Sequence, residues 1–213
     1  MQPAPLAPRD VPADSIFAGD RPTGLLHAPQ GTVVDWAAPY AQAGPGQQPV
    51  LELRPNSLVG LTGEAGKKPI IGALDIGEVD RACPRFSDVH QIAVEADMRV
   101  RAAHPGLSAR ELGTLIHTDI AKEIRKWPEL GVGVWSELGV FHGVDLEGAF
   151  VLPKGASRID VLEDAGQGTV CVYDPKTGDN TMSRDQMLRY WQEAFAFRPG
   201  TTRVFVIPLY TKR

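Results

Sequence analysis

The chain of 213 residues lacks the features that mark membrane and secreted proteins. It has no run of about 18 apolar residues, which a membrane-spanning helix requires. Its first residues, 1–5, do not begin the basic and then apolar segment of a secretory signal. We therefore expect no membrane partner. We expect a protein that is cytoplasmic, or that a dedicated secretion apparatus delivers into target cells.

Cysteine is scarce, with two residues in the whole chain. Cys83 and Cys171 are far apart and do not have the spacing of a zinc ligand pair. Cys171 lies within an apolar run, which favours a buried reduced thiol over a disulfide.

Several motifs of hydrolases and nucleotide-binding proteins are also missing. The chain has no G-x-S-x-G elbow, no H-E-x-x-H zinc helix and no phosphate-binding P-loop. Residues 60–68 come nearest to a P-loop, but they have one residue too many before the Gly-Lys pair. Lys68 also stands where a serine or threonine would bind magnesium. We interpret this segment as a glycine-rich turn.

The charge balance argues against a general nucleic-acid binder, since 22 basic residues face 26 acidic ones. The acidic excess is concentrated before residue 98, and residues 150–213 form the only net basic segment. A cluster of catalytic carboxylates would itself add negative charge, which a bound metal would neutralise.

Two regions differ in composition. Residues 1–106 form a Pro/Gly-rich N-terminal arm or a small accessory region, with one possible strand at 50–53 and one possible helix within 84–104. This region is either a linker or an arm packed on the second half, and composition does not choose between them. Residues 107–213 have clearer periodicity and are predicted to form the second domain.

The second region predicts helices and strands in the order α-β-β-β-α-β. Ser108 and Glu111 form a capping box before a helix that ends near Pro128. Strands are predicted at 132–141, 158–163, 169–174 and 202–207, and a helix from Ser183 to about Phe195. The short links predict antiparallel pairing of the first three strands, and the second helix allows a crossover to the fourth. The fold class is therefore α/β, with a mixed sheet flanked by helices.

Four short motifs follow one another along this region: G-x-x-x-H, an acid in an apolar strand, D-x-K and Q-x-x-x-Y. Their residues are Gly113 and His117, Asp160, Asp174 and Lys176, and Gln186 and Tyr190. Neighbouring antiparallel strands can bring two carboxylates to one divalent cation, which prefers oxygen ligands. Lysine two residues after an acid leaves the same face of an extended strand, where it can orient a water for attack on phosphate.

Each motif alone also has an ordinary structural explanation. Asp174 and Lys176 can form a solvated strand end, and Asp160 can pair with Arg158 or Arg203. A lone helical histidine such as His117 is commonly hydrogen-bonded in a core, and glutamine and tyrosine four residues apart are a common amphipathic pair. The motifs favour a functional site only together, in this order, and on these elements.

With these motifs in this order, the second half resembles the PD-(D/E)xK nuclease superfamily and, within it, the RecB-like branch. The resemblance covers roughly residues 107–210 and implies a restriction-endonuclease-like αβββαβ core. The residues that carry it are Gly113 and His117, Glu137, Ser157-Arg158-Ile159-Asp160, Asp174-Pro175-Lys176-Thr177-Gly178, and Gln186 and Tyr190.

The resemblance also implies roles for these residues. Asp160 and Asp174 would hold Mg²⁺ or Mn²⁺, His117 would add a ligand, and Glu137 is a further candidate ligand. The catalytic set would be Asp160, Asp174, Lys176, Gln186 and Tyr190, the last two shaping the site or contacting the nucleic acid.

Two residues depart from the family pattern. Ser157 stands where glycine is frequent, so close backbone approach is less assured there. Pro175 removes an N–H from the strand between the acid and the lysine. It is tolerated if the strands diverge at that point, and otherwise it spoils the geometry.

The resemblance extends to the C-terminal toxin domains of bacterial polymorphic toxins and type VI secretion effectors. It implies a Mg²⁺-dependent deoxyribonuclease that acts on DNA as an antibacterial toxin, with an immunity protein and a secretion chaperone or loader as partners. The alternatives are a housekeeping or phage-related DNA repair nuclease and a non-catalytic binding module on a nuclease fold.

Overall fold

A computed structural model describes residues 46–53, 70–127, 133–141, 144–146, 156–177 and 182–211. The glycine-rich segment at 60–68 and Gly178 lie outside these residues. Four helices are described: α1 (Ile76–Ala82), α2 (Phe86–Ala103), α3 (Ala109–Lys126) and α4 (Arg184–Phe197). Seven strands are described: β1 (Gln47–Leu53), β2 (Ile70–Asp75), β3 (Val134–Phe141), β4 (Val144–Asp145), β5 (Ser157–Gly166), β6 (Thr169–Lys176) and β7 (Arg203–Tyr210).

The strands form one mixed sheet in the order β2-β1-β7-β6-β5-β3-β4. Strands β3, β5 and β6 pair antiparallel, as their short links require. Strand β7 pairs parallel with β6, because helix α4 carries the chain back across the sheet before β7 begins. The predicted α/β class and the α-β-β-β-α-β order are therefore confirmed, with the two-residue strand β4 as an addition.

Alternate side chains of the central strands pack in two hydrophobic cores, one on each face of the sheet. Cys171 and Tyr173 of β6 join a core formed with α1, α2 and α3. Val170 and Val172 of the same strand join a second core formed with α4. This alternation explains why the strand is apolar almost throughout: it is buried on both faces.

The helix boundaries follow from local hydrogen bonds. The Ser108 side chain accepts the Glu111 N–H at 3.4 Å, and the Glu111 carboxylate accepts the Ser108 N–H at 2.9 Å, so the predicted capping box starts α3. The Ser183 hydroxyl likewise accepts the Gln186 N–H at 3.2 Å and caps α4.

Residues before 107 contribute to the same sheet. Strand β1 pairs antiparallel with both β2 and β7, and α2 packs beside α3. Of the two alternatives for this region, the described residues fit an arm packed on the second half. Strand β2 and helix α1 had no clear sequence signal. No helix in the described part of the chain is long and apolar enough to cross a membrane.

The expectation of a reduced thiol is wrong. Cys83, between α1 and α2, forms a disulfide with Cys171 of β6, 88 residues further along the chain. Both cysteines are fully buried in the first core. An apolar run around Cys171 correctly indicated burial, but sequence spacing alone could not show that the turn after α1 would lie against this strand.

Loss of this disulfide is expected to destabilise the fold. A bridge that closes a long loop typically contributes about 2–4 kcal/mol, largely by restricting the unfolded chain. Cys83→Ser with Cys171→Ser should therefore lower the free energy of unfolding by about that amount in denaturant titrations. Equal stability of the double variant and the oxidised wild-type protein would contradict the assignment.

Candidate active site

The candidate site lies where two central strands separate. The described ladder between β5 and β6 ends at the pair Val161–Tyr173. One residue beyond this pair, Asp160 and Asp174 lie opposite each other without ladder pairing, while β6 stays paired with β7 as far as Lys176. The ladder therefore stops where the two carboxylates approach each other, and burial together with this contact raises the pKa of Asp174.

His117 reaches this gap from helix α3. Its Nδ1 lies 3.0 Å from Oδ1 of Asp160. One turn earlier, a Cβ built on Gly113 would lie 3.2 Å from Oγ1 of Thr177, the residue that follows β6. The glycine therefore permits close approach of the helix and the strand end, which brings His117 within reach of Asp160.

Glu137 completes a group of three candidate ligands. It lies between the pairs Ser136–Val161 and Leu138–Ile159, and so faces Asp160 across the β3–β5 ladder. Its backbone has a φ of 54°, a left-handed conformation that is costly for a residue with a side chain. One donor atom each from His117, Glu137 and Asp160 lie within 4.8 Å of one another.

Asp174 is held in a hydrogen-bonded network on the second face of the sheet. The carboxylate is 2% exposed. Its Oδ1 accepts the Tyr190 hydroxyl at 3.2 Å and the Gln186 amide at 3.3 Å, and its Oδ2 contacts the Lys176 ammonium. The Gln186 amide also donates to the Tyr190 hydroxyl at 2.9 Å, and Lys176 donates to Oε1 of Gln186 at 3.4 Å.

The crowding of these acids changes their proton affinities. Burial, and then the charge of Asp160, raise the pKa of Asp174 to about 7 although Lys176 opposes this. Burial and Asp160 likewise raise the pKa of Glu137. For His117, burial favours the neutral ring, but the hydrogen bond and charge of Asp160 outweigh it and raise the pKa. Like charges held together in this way are a recognised feature of functional sites.

The donor set fits a divalent cation. Carboxylate oxygens are the ligands that Mg²⁺ prefers, and Mn²⁺ also accepts an imidazole nitrogen. Burial and the charge of Asp160 raise the pKa values of Asp174 and Glu137, and a bound cation would lower the electrostatic cost of keeping these carboxylates ionised.

The two departures from the expected pattern, Pro175 and Ser157, both lie in strands of the sheet. Pro175 lies beyond the last β5–β6 pair and is matched with Leu209 in the parallel ladder, so the strands diverge at the point where it removes an N–H. Ser157 is buried and pairs with Val140 of β3.

The alternative partners for Asp160 are engaged elsewhere. Arg158 lies 3.6 Å from Glu137, and Arg203 lies 3.0 Å from Glu52 in a buried pair. The structure thus brings all seven predicted residues to the edge of one gap: His117, Glu137, Asp160, Asp174, Lys176, Gln186 and Tyr190.

A second buried acid, on the opposite face of the sheet, was not predicted from the sequence. Glu163 is 3% exposed; it accepts the Tyr173 hydroxyl and, at 3.2 Å, the N–H of Arg85. Burial raises the pKa of Glu163 to about 7, against the opposing effect of the Tyr173 hydrogen bond. The signal was present, because Glu163 is an acid within the strand predicted at 158–163.

Family models, curated proteins and solved structures were compared with the chain, and none matched it.

Glu163 should make stability depend on pH. Its pKa rises from 4.5 to about 7 on folding, so its contribution to stability is full below pH 4.5 and is lost as the pH rises through 7. Between these limits the wild-type protein should lose roughly 3 kcal/mol more than Glu163→Gln, which cannot titrate. Denaturant unfolding at a series of pH values measures this difference. Asp174 titrates in both proteins, so the comparison isolates the effect of Glu163. An equal dependence of the unfolding free energy on pH in the two proteins would show that folding does not raise the pKa of Glu163.

Proposed function

We propose that this protein is a metal-dependent nuclease that hydrolyses phosphodiester bonds of DNA. The observation that carries the proposal is the meeting of His117, Glu137, Asp160, Asp174 and Lys176 at one break in the sheet. Phosphodiester hydrolysis needs a cation, a positioned water and neutralisation of phosphate charge. The carboxylates of the site could bind the cation. The Lys176 ammonium could position the water and neutralise the phosphate charge.

Each residue would have a role that follows from its position in the site. His117, Glu137, Asp160 and Asp174 would hold the cation, which when bound supplies Lewis acidity and charge neutralisation. Tyr190 and Gln186 donate to Asp174 and fix the direction of its carboxylate.

Lys176 is placed to act on the attacking water. Its ammonium is held between Asp174 and Gln186, and its side chain is 13% exposed. A group so placed can orient a water beside the phosphate and stabilise the charge that develops there.

Two arginines beside the acidic group support a polyanionic substrate. Arg158 pairs with Glu137 and is 52% exposed, and the charge of Arg125 on α3 also reaches Glu137. Exposed guanidinium groups next to a metal site can bind the phosphates on either side of the bond to be cut.

The direct test is cleavage of plasmid DNA with Mg²⁺ or Mn²⁺. The wild-type protein should cleave and a chelator should stop it, while Lys176→Ala should be slower by about 100-fold or more. The matched control is Lys126→Ala, because Lys126 is 65% exposed and pairs only with Glu123 on α3 among the described residues. Absence of cleavage of DNA or RNA with either metal would overturn the proposal and favour a binding module.

Expression in bacteria separates the biological roles. An antibacterial effector should be toxic as the wild-type protein and harmless as Lys176→Ala, and a cognate immunity protein should suppress the toxicity. Cleavage in vitro confined to branched or damaged DNA, without toxicity, would instead favour a repair nuclease.

Metal binding is testable without turnover. A cation that binds only the folded state stabilises it by about 2.7 kcal/mol at 100 times its dissociation constant, so Mn²⁺ or Mg²⁺ should raise the melting temperature. Asp160→Asn should abolish this shift, whereas Asp145→Asn, at an exposed position on β4, should retain it. An equal shift in the two variants would show that the cation binds elsewhere.

A further inference from the structure

The end of strand β6 is held by a side chain from outside the candidate site. Arg101, in the last turn of α2, donates from Nη2 to the carbonyl of Thr177 at 2.6 Å. Its Nε donates to Oδ2 of Asp97 at 2.8 Å, one turn earlier on the same helix. Thr177 immediately follows Lys176, so the guanidinium holds the backbone next to the proposed catalytic lysine.

Asp97 orients the Arg101 guanidinium that donates to the Thr177 carbonyl. It is 5% exposed, whereas the Arg101 side chain is 28% exposed. A carboxylate so deeply buried favours a cationic partner, and the planar guanidinium pairs with Oδ2 of Asp97 through Nε while presenting a second N–H elsewhere. The pair therefore orients an N–H of Arg101 towards the strand end.

The strand needs this restraint because of the break in the sheet. Past Tyr173, β6 has lost its pairing with β5 and keeps only β7 as a ladder neighbour. Pro175 provides no N–H to that remaining ladder. Thr177 lies against Gly113 of α3 and accepts a hydrogen bond from Arg101 of α2, so contacts from two helices hold the strand end.

We propose that Arg101, oriented by Asp97, is a positioning residue that fixes the end of β6 and thereby places Lys176 at the candidate site. This inference rests on the proposed nuclease function. Arg101 acts through the Thr177 carbonyl, not by touching the nucleic acid. Its loss should therefore lower kcat with little effect on KM.

The test variants are chosen so that none of them leaves a buried charge without a partner. Removing Arg101 alone would leave Asp97 unpaired and could unfold the protein, so the test variant combines Asp97→Asn with Arg101→Met. Misplacement of a catalytic group by about 1 Å can cost about 100-fold, and we expect kcat to fall by roughly 10- to 100-fold. Arg101→Lys, which retains charge and one donor, should recover part of the loss.

The matched control is Arg99→Ala. Arg99 lies on the same helix, is 47% exposed, and pairs with Asp119, Glu95 and Glu123. Its kcat and KM should match the wild-type values. A rise in KM in the double variant with kcat unchanged would overturn the proposal, because it would show direct contact with nucleic acid.

A second measurement does not depend on activity. Hydrogen exchange at the amides of Asp174, Lys176 and Thr177 should be faster in the double variant than in the wild-type protein or Arg99→Ala. If the wild-type protein cleaves nothing, the nuclease proposal fails while this measurement still tests the positioning contact. Wild-type exchange and wild-type kcat in the double variant would overturn the positioning role.

Discussion

The arrangement of the site depends on one buried carboxylate. Asp174 stands at the end of a central strand, 2% exposed, where an unpartnered anion would be strongly destabilising. Its neighbours are explained by this requirement. Tyr190 and Gln186 supply hydrogen bonds from α4, and Lys176 supplies the opposite charge from the same strand. These contacts do not fully compensate, since the pKa of Asp174 is still raised to about 7. A cation, as proposed for this site, would lower the remaining electrostatic cost.

The hydrogen-bonded ladders of the sheet are interrupted on both sides of Asp160. Strands β5 and β6 are tightly paired up to Val161 and Tyr173, and they separate at the two aspartates. On the other side of β5, the left-handed backbone at Glu137 interrupts the ladder opposite Asp160. Both interruptions remove backbone pairing where acidic side chains converge. The ladder hydrogen bonds are therefore missing at the position where we propose that a cation binds.

Local signals made much of the fold predictable from the sequence. Ser108 and Ser183 marked two helix starts, and apolar runs with Gly-rich turns marked the strands that follow. The candidate residues were likewise predictable, because they belong to motifs in a known order. What could not be predicted depends on contacts between distant segments. The bridge of Cys83 to Cys171, the insertion of β7 beside β1, and the contact of Arg101 with Thr177 join residues far apart in the chain. Sequence spacing carries no information about such pairs.

The position of β7 has a consequence for biosynthesis. This strand follows all the other described elements in the chain, yet it lies in the middle of the sheet between β1 and β6. Until β7 has been synthesised, the β1–β2 pair lacks the strand that joins it to the rest of the sheet, and β6 lacks its parallel neighbour. Non-local pairing of this kind delays assembly of the sheet until β7 has been synthesised. Because β6 keeps only β7 as a ladder neighbour beyond Tyr173, the strand end that carries Asp174 and Lys176 can take its place only after β7 has paired with it.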